Sequence, residues 1–314
     1  MSTLCLVVLL SSSASAQYFR SSNYWKTHRN EVIISFGIAN FLGELGGKDQ
    51  IGSPFIWDLE ISQTKPSFAV GWHYYLAQRV AMRLNLSYAL LAGNDNLTKE
   101  EFRMNRNMHF QTDLVEFAWT FEYHFFREEL GHVYDLRGVK GQKSSRVGFY
   151  LFAGVSGFYF DPKAKFNGEW VNLKPLHTEG QTLPGGPEEY SNFQIAIPMG
   201  GGLRKAMNKY WTLGLELQYT KTFTDYIDDV SGVYYDNDAI AANNGAIAAY
   251  FADPSLGVGE NISEYTTSHG QQRGDSEDLD AYLFLRFTAV YKMFKNRSRT
   301  KKYRTRIRRQ KIVF

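Results

Sequence analysis

Cysteine is almost absent: the 314 residues hold a single one, Cys5, inside the apolar run 4–10. That excludes a disulfide framework and a thiolate metal centre. No apolar run approaches the roughly 20 residues that a membrane-spanning helix needs, so an α-helical membrane protein is excluded too. Proline is scarce at 8 residues, against 27 glycines and 16 % aromatics. Scarce proline with abundant aromatics favours strands and argues against disorder. Acidic residues are missing from 295–314, which carries ten basic side chains. The remaining chain holds 25 basic against 32 acidic residues. The net charge of +3 therefore averages a mildly acidic body and a strongly basic tail.

The apolar run around Cys5 is followed by small residues and by Ala14-Ser15-Ala16 before Gln17. An apolar segment ahead of an A-x-A site is the pattern of an export signal, although Met1-Ser2-Thr3 supplies no positive charge. Residues 1–16 are expected to be a signal peptide. Residues 17–294 then form the folded body and 295–314 a basic tail.

The body alternates with period two. In 210–221, Trp211, Leu213, Leu215, Leu217 and Tyr219 face one way, with Thr212, Gly214, Glu216, Gln218 and Thr220 opposite. The same pattern recurs in 68–76, 80–90, 113–125, 193–204 and 279–293, and less cleanly in 32–43 and 146–160. These eight segments are long enough to cross a bilayer as tilted strands, which takes about 9–11 residues.

Two architectures fit alternating strands. A soluble sandwich buries the apolar rows, whereas a membrane barrel turns them to lipid and points the polar rows inward. Three features favour the barrel. Several strands exceed the about five or six residues of globular strands. Aromatics such as Trp211, Tyr88, Tyr123 and Tyr291 sit at strand ends, as in interfacial girdles. Short turns near 77–79 and 207–209 alternate with long connections at 44–66, 93–109, 161–191 and 225–277. The connection 127–145 is the exception, being long on the short-turn side. The sequence thus predicts an all-β, eight-stranded antiparallel transmembrane β-barrel of the outer-membrane type. Both termini and the short turns are expected in the periplasm, and outer-membrane lipid is its surroundings.

An eight-stranded interior is just wide enough for side chains to fill. The inward rows contain Arg83, Glu116, Glu122, Glu216 and Arg286, with His124 and Lys292. A paired charge network plugging the lumen is expected, with the three glutamates matched to Arg83, Arg286 or other inward cations. The stretch 224–232 clusters Asp225, Asp228 and Asp229, carboxylates of the type that hold hard cations. The spacing is not that of a calcium loop, and a solvated acidic loop is the expectation. The sequence has no G-x-S-x-G, H-E-x-x-H, P-loop or dinucleotide fingerprint, and its seven histidines form no recognisable constellation. No catalytic role, cofactor or small-molecule substrate is expected.

A basic surface is expected on the periplasmic side. It comprises Arg127, Arg137, Lys140 and Lys143 of the long fourth connection. The tail adds Lys295, Arg297, Arg299, Lys301, Lys302, Arg304, Arg306, Arg308, Arg309 and Lys311. Periplasmic placement argues against nucleic acid as its ligand, and an acidic protein face is the expected partner.

Several stretches resemble one family. Ile38-Ala39-Asn40-Phe41-Leu42-Gly43-Glu44-Leu45, Leu173-Lys174-Pro175-Leu176-His177-Thr178-Glu179-Gly180-Gln181 and Ile197-Pro198-Met199-Gly200-Gly201-Gly202 are similar to stretches of the PorG-like outer-membrane proteins. So are Thr222-Phe223-Thr224-Asp225-Tyr226-Ile227-Asp228-Asp229-Val230-Ser231 and Gln272-Arg273-Gly274-Asp275. The resemblance implies a part of the type IX secretion system. There the barrel anchors a periplasmic ring made of PorK and PorN. The basic tail departs from the minimal barrel. Two other roles remain open on the residues alone: an enzyme acting on outer-membrane lipid, and a stand-alone adhesin or structural barrel.

Overall fold

The computed structural model describes residues 24–43, 45, 63–98, 100–128, 147–208, 210–258, 262–263 and 266–294. It also describes the backbone of two paired two-residue strands, Asp135–Leu136 and Val139–Lys140. The expected signal segment and the basic tail lie outside the described residues.

Eight long strands carry the fold: β1 Asn30–Leu42, β2 Lys65–Tyr75, β3 Val80–Asn94, β4 His109–Phe126, β5 Val147–Phe166, β6 Phe193–Ala206, β7 Trp211–Thr222 and β8 Ala281–Met293. Each pairs antiparallel with its sequence neighbour, and β1 pairs with β8, closing the barrel. Closure removes the unpaired edges that a membrane cannot tolerate.

Which face looks outward decides between the two architectures. Phe36, Phe193, Ile195 and Phe287 are 58–64 % exposed, and Trp211, Leu213, Leu215 and Leu217 are exposed as well. On the opposite face Ser35, Thr212, Glu216 and Gln218 are buried. The apolar rows therefore point out and the polar rows in. This inversion suits hydrocarbon surroundings and would be unstable in water, because exposed apolar area is penalised at about 25 cal/mol per Å². Rim aromatics at the short-turn end pack in pairs, Trp211 tilted on Tyr291 at 5.1 Å and Tyr123 edge-on to Phe125 at 4.9 Å.

Several strands run past the alternating segments, β4 and β5 furthest. β4 spans 18 residues and β5 spans 20. Their extra lengths rise past the barrel at the long-loop end, where a short strand, Glu169–Asn172, folds back on β5. Between β3 and β4 lies the helix α1, Glu101–Arg106, and between β7 and β8 lie α2, Asn237–Asn244, and α3, Ala246–Ala252.

Candidate functional site

The inward rows build a buried ionic lattice near the middle of the lumen. Arg83 on β3 places Nη1 2.5 Å from Glu216 Oε2 on β7 and 3.3 Å from Glu122 Oε1 on β4. The Tyr150 hydroxyl on β5 also donates to Glu216, at 2.5 Å. Glu122 receives Arg204 Nη2 of β6 at 3.2 Å as well. Each guanidinium lies over an aromatic ring, Arg83 over Phe152 at 4.5 Å and Arg204 over Tyr150 at 4.2 Å. Charges stripped of water need such partners on every side. Gly202 on β6 makes the room: a Cβ there would stand 2.5 Å from the Tyr150 hydroxyl.

Not every expected pair forms. Among the described residues Glu116 has no cation within 4 Å; it accepts from the Tyr282 hydroxyl at 3.0 Å and from Gln218 Nε2 at 3.2 Å. Arg286 lies over the Phe284 ring at 3.8 Å and donates from Nε to Ser67. Alternation identified both as inward, but charge matching between distant strands depends on the barrel's stagger, which one segment does not encode. For the same reason the reading missed three members of the network. His73, Glu31 and Arg204 occupy inward positions of β2, β1 and β6, and all are buried. Their inward parity was the available signal.

At the short-turn end, the residues after β4 seal the barrel. Glu128 is buried and accepts from Lys292 Nζ of β8 at 2.9 Å. Its carboxyl is held down at about 2, where Lys292, Arg204 and Arg127 outweigh the cost of burial. Arg127, expected on a docking surface, stacks on Tyr75 at 4.2 Å instead. It belongs to the seal, because its planar guanidinium fits an aromatic face better than open water. Lys140 stands on the short strand Val139–Lys140. Arg137, Lys143 and the cations from Lys295 to Lys311 lie outside the described residues.

The long-loop end holds a folded cap rather than solvated polar loops. Ile227, Val230, Tyr234 and Phe251 join Phe41, Leu91, Phe110, Phe158, Phe160 and Phe284 in one apolar core that fills the barrel mouth. The segment 224–231 is pinned there from both sides. Thr112 of β4 donates to the Ile227 carbonyl at 2.7 Å, and Asp280 accepts from the Ile227 N–H at 2.9 Å.

This placement corrects the expectation for Asp225, Asp228 and Asp229. All three are buried, and Asp228 and Asp229 are hydrogen-bonded within the cap. Asp229 accepts from the Tyr190 hydroxyl at 2.6 Å and from Thr178 at 2.7 Å. Asp228 accepts from the Val230 N–H at 3.1 Å. Among the described residues, these carboxylates do not converge to cation-ligand spacing. Burial pushes the Asp225 carboxyl up to about 8 and that of Asp229 to about 6.

The hub of the cap is Arg273. Its Nη1 lies 2.7 Å from Glu179 Oε1 and 2.8 Å from the Asp229 carbonyl, and Glu179 also accepts from the Ser231 N–H at 2.9 Å. Burial would favour the neutral form, but the Glu179 and Asp229 charges hold the Arg273 guanidinium above its ordinary value. Thr178 and Glu179, Asp229 and Ser231, and Arg273 come from three separate stretches that carry the family resemblance. They meet in one buried polar knot. No periodicity marks them, because they lie in irregular chain.

A family model described as "Domain of unknown function (DUF6089)" matches residues 16–245. No curated protein matches the sequence. Neisserial surface protein A is similar at 9 % identity with a TM-score of 0.38, over 84 % of this chain and 97 % of that one. The attachment invasion locus protein Ail of Yersinia pestis is similar at 9 % identity and 0.35, over 84 % and 99 %. The outer membrane protein OprG of Pseudomonas aeruginosa is similar at 9 % and 0.33, over 85 % and 98 %. At these values no inference about function passes from them to this chain.

Proposed function

We propose that this chain, which belongs to the family described as "Domain of unknown function (DUF6089)", is a closed outer-membrane barrel that acts as a non-catalytic post. In that role it anchors or positions the periplasmic ring of a type IX secretion system. The observation that carries the proposal is the filled lumen. Arg83, Arg204, Glu122 and Glu216 occupy its middle, Lys292 and Glu128 close one end, and the Arg273 knot closes the other. A barrel sealed in this way offers its two ends and its lipid-facing wall to partners, and leaves the interior to stability. The stretches that resemble the PorG-like proteins support the secretion reading, and three of them supply the cap knot.

On this reading the ring proteins resembling PorK and PorN meet the short-turn side. The basic tail and the fourth connection, with Arg137, Lys140 and Lys143, form the docking surface there. Charge-rich docking of this kind speeds association and weakens with salt. The test is purification of the full chain in mild detergent, with mass spectrometry of what co-elutes. Ring proteins should co-elute and be lost on deleting 296–314 or on raising salt. Undiminished recovery after both treatments overturns the docking surface. Absence of any ring protein overturns the anchor role.

One observation favours a second reading, a surface-binding barrel. Phe102, Met104, Ile247, Tyr250, Leu256 and Val258 are exposed on the cap. Deleting cap segments separates the two, since an anchor depends on the short-turn side instead.

A further inference from the structure

Inside the barrel, on the short-turn side of the ionic lattice, three side chains from β2 and β4 aim at one another. His73 on β2 places Nε2 3.0 Å from Glu122 Oε2, and His124 on β4 places Nε2 3.3 Å from the same oxygen. All three atoms lie within 4.8 Å of one another, and all three residues are at most 1 % exposed. We propose that His73, Glu122 and His124 form a binding site for a divalent transition-metal ion of the zinc class.

Four features argue for it. The first is spacing. Ligands bonded at about 2.0–2.1 Å in a tetrahedral arrangement stand roughly 3.3 Å apart, close to both separations here. The second is direction. Neither ring nitrogen and the shared oxygen meet hydrogen-bond geometry, despite their short separations. In a tetrahedral site each lone pair points at the central ion, roughly 35° away from the line to its neighbour ligand.

The third is the partner behind His73. Its Nδ1 lies 3.1 Å from Glu31 Oε2 on β1. With the ring proton donated to Glu31, Nε2 carries a lone pair that faces a carboxylate oxygen. Two acceptors at 3.0 Å require something positive between them. A carboxylate behind a ligating histidine is also the usual way to fix the tautomer and raise its basicity. The fourth is donor type. Two imidazoles and one carboxylate suit zinc, nickel or cobalt rather than calcium or magnesium, which take oxygen ligands. Arg204, 3.2 Å from the same Glu122 oxygen, orients the carboxylate from outside the triad. The competing occupant of the gap is a proton, which would make His73 an imidazolium between Glu31 and Glu122.

The full chain, purified from membranes in detergent without chelator, is assayed for metal by mass spectrometry. A second sample is unfolded and refolded in detergent with Co²⁺, because a buried site loads during closure. The expected result is near-stoichiometric zinc-class metal in the first sample and the visible absorption of tetrahedral cobalt in the second. His124→Gln should abolish both signals. Glu31→Gln, which keeps every ligand, should weaken metal retention by roughly 10- to 100-fold. Glu116→Gln, elsewhere in the lumen, should leave the signals intact. Metal-free wild-type protein whose cobalt spectrum matches the ion in solution overturns the site and leaves the proton as occupant. The wild-type samples decide the question even if a variant does not fold.

Discussion

Replacing Arg273 with alanine should open the cap while leaving the barrel closed. Arg273 and Glu179 are 3 % and 1 % exposed, and their atoms are 2.7 Å apart. Truncation removes the charged partner of a buried carboxylate and two further bonds, to the Asp229 and Phe251 carbonyls. Breaking a buried pair from one side costs about 3–5 kcal/mol. At the lower figure the opening equilibrium of the cap rises by roughly 150-fold. The loss is local, because the strands are held by their own ladders and the knot lies beyond them. Hydrogen exchange resolves the two regions. Peptides covering 224–234 and 173–181 should lose protection by about that factor, while peptides in β1, β7 and β8 keep theirs. Removing Glu179 as well should recover part of the loss, since the stranded charge is then gone. Unchanged protection of 224–234 in Arg273→Ala would refute the knot as the element that holds the cap.

Four further outcomes follow from the same contacts. Asp225, with its carboxyl raised to about 8, holds a proton in the closed cap that the opened cap releases; closure should therefore weaken as pH rises from about 4 to 8 and level off above it, and Asp225→Asn should flatten that slope in pH-resolved hydrogen exchange. Arg83→Ala strands Glu216 and removes one of the partners of Glu122, so the denaturant midpoint should fall by the equivalent of about 3–5 kcal/mol, whereas Glu116→Gln keeps an acceptor for Tyr282 and Gln218 and should cost under about 1 kcal/mol. Gly202→Ala should displace Tyr150 from Glu216, and the lost bond is readable as quenched or shifted tyrosine absorbance together with lower thermal stability. In planar bilayers the full chain should give no stable single-channel conductance, and a steady open level would contradict the filled lumen.

The alternation of Trp211, Leu213, Leu215 and Leu217 with Thr212, Glu216 and Gln218 determined, from sequence alone, that these residues form strands with one apolar and one polar face. It also determined the number of strands, because each segment carries its own period and is bounded by its own turns. Strand length, end aromatics and alternating connection lengths also favoured the apolar rows outward, and the closure of β1 on β8 fixes inside and outside for every strand at once. Partnership across the lumen is likewise a property of the assembled barrel. Glu122 meets Arg204, 82 residues away, and Arg83 meets Glu216, 133 residues away, because stagger brings them to one height. The same parity marked Glu116 and Arg286 as inward, yet the stagger gives Glu116 a tyrosine and a glutamine as its hydrogen-bond partners. Asp225, Asp228 and Asp229 looked solvated because acidic residues in irregular chain usually face water. Tertiary structure decided otherwise: Ile227 and Val230 stand beside them and enter the barrel mouth, and burying those apolar side chains carries all three carboxylates inside, Asp229 onto two hydroxyl donors and Asp228 onto a backbone amide.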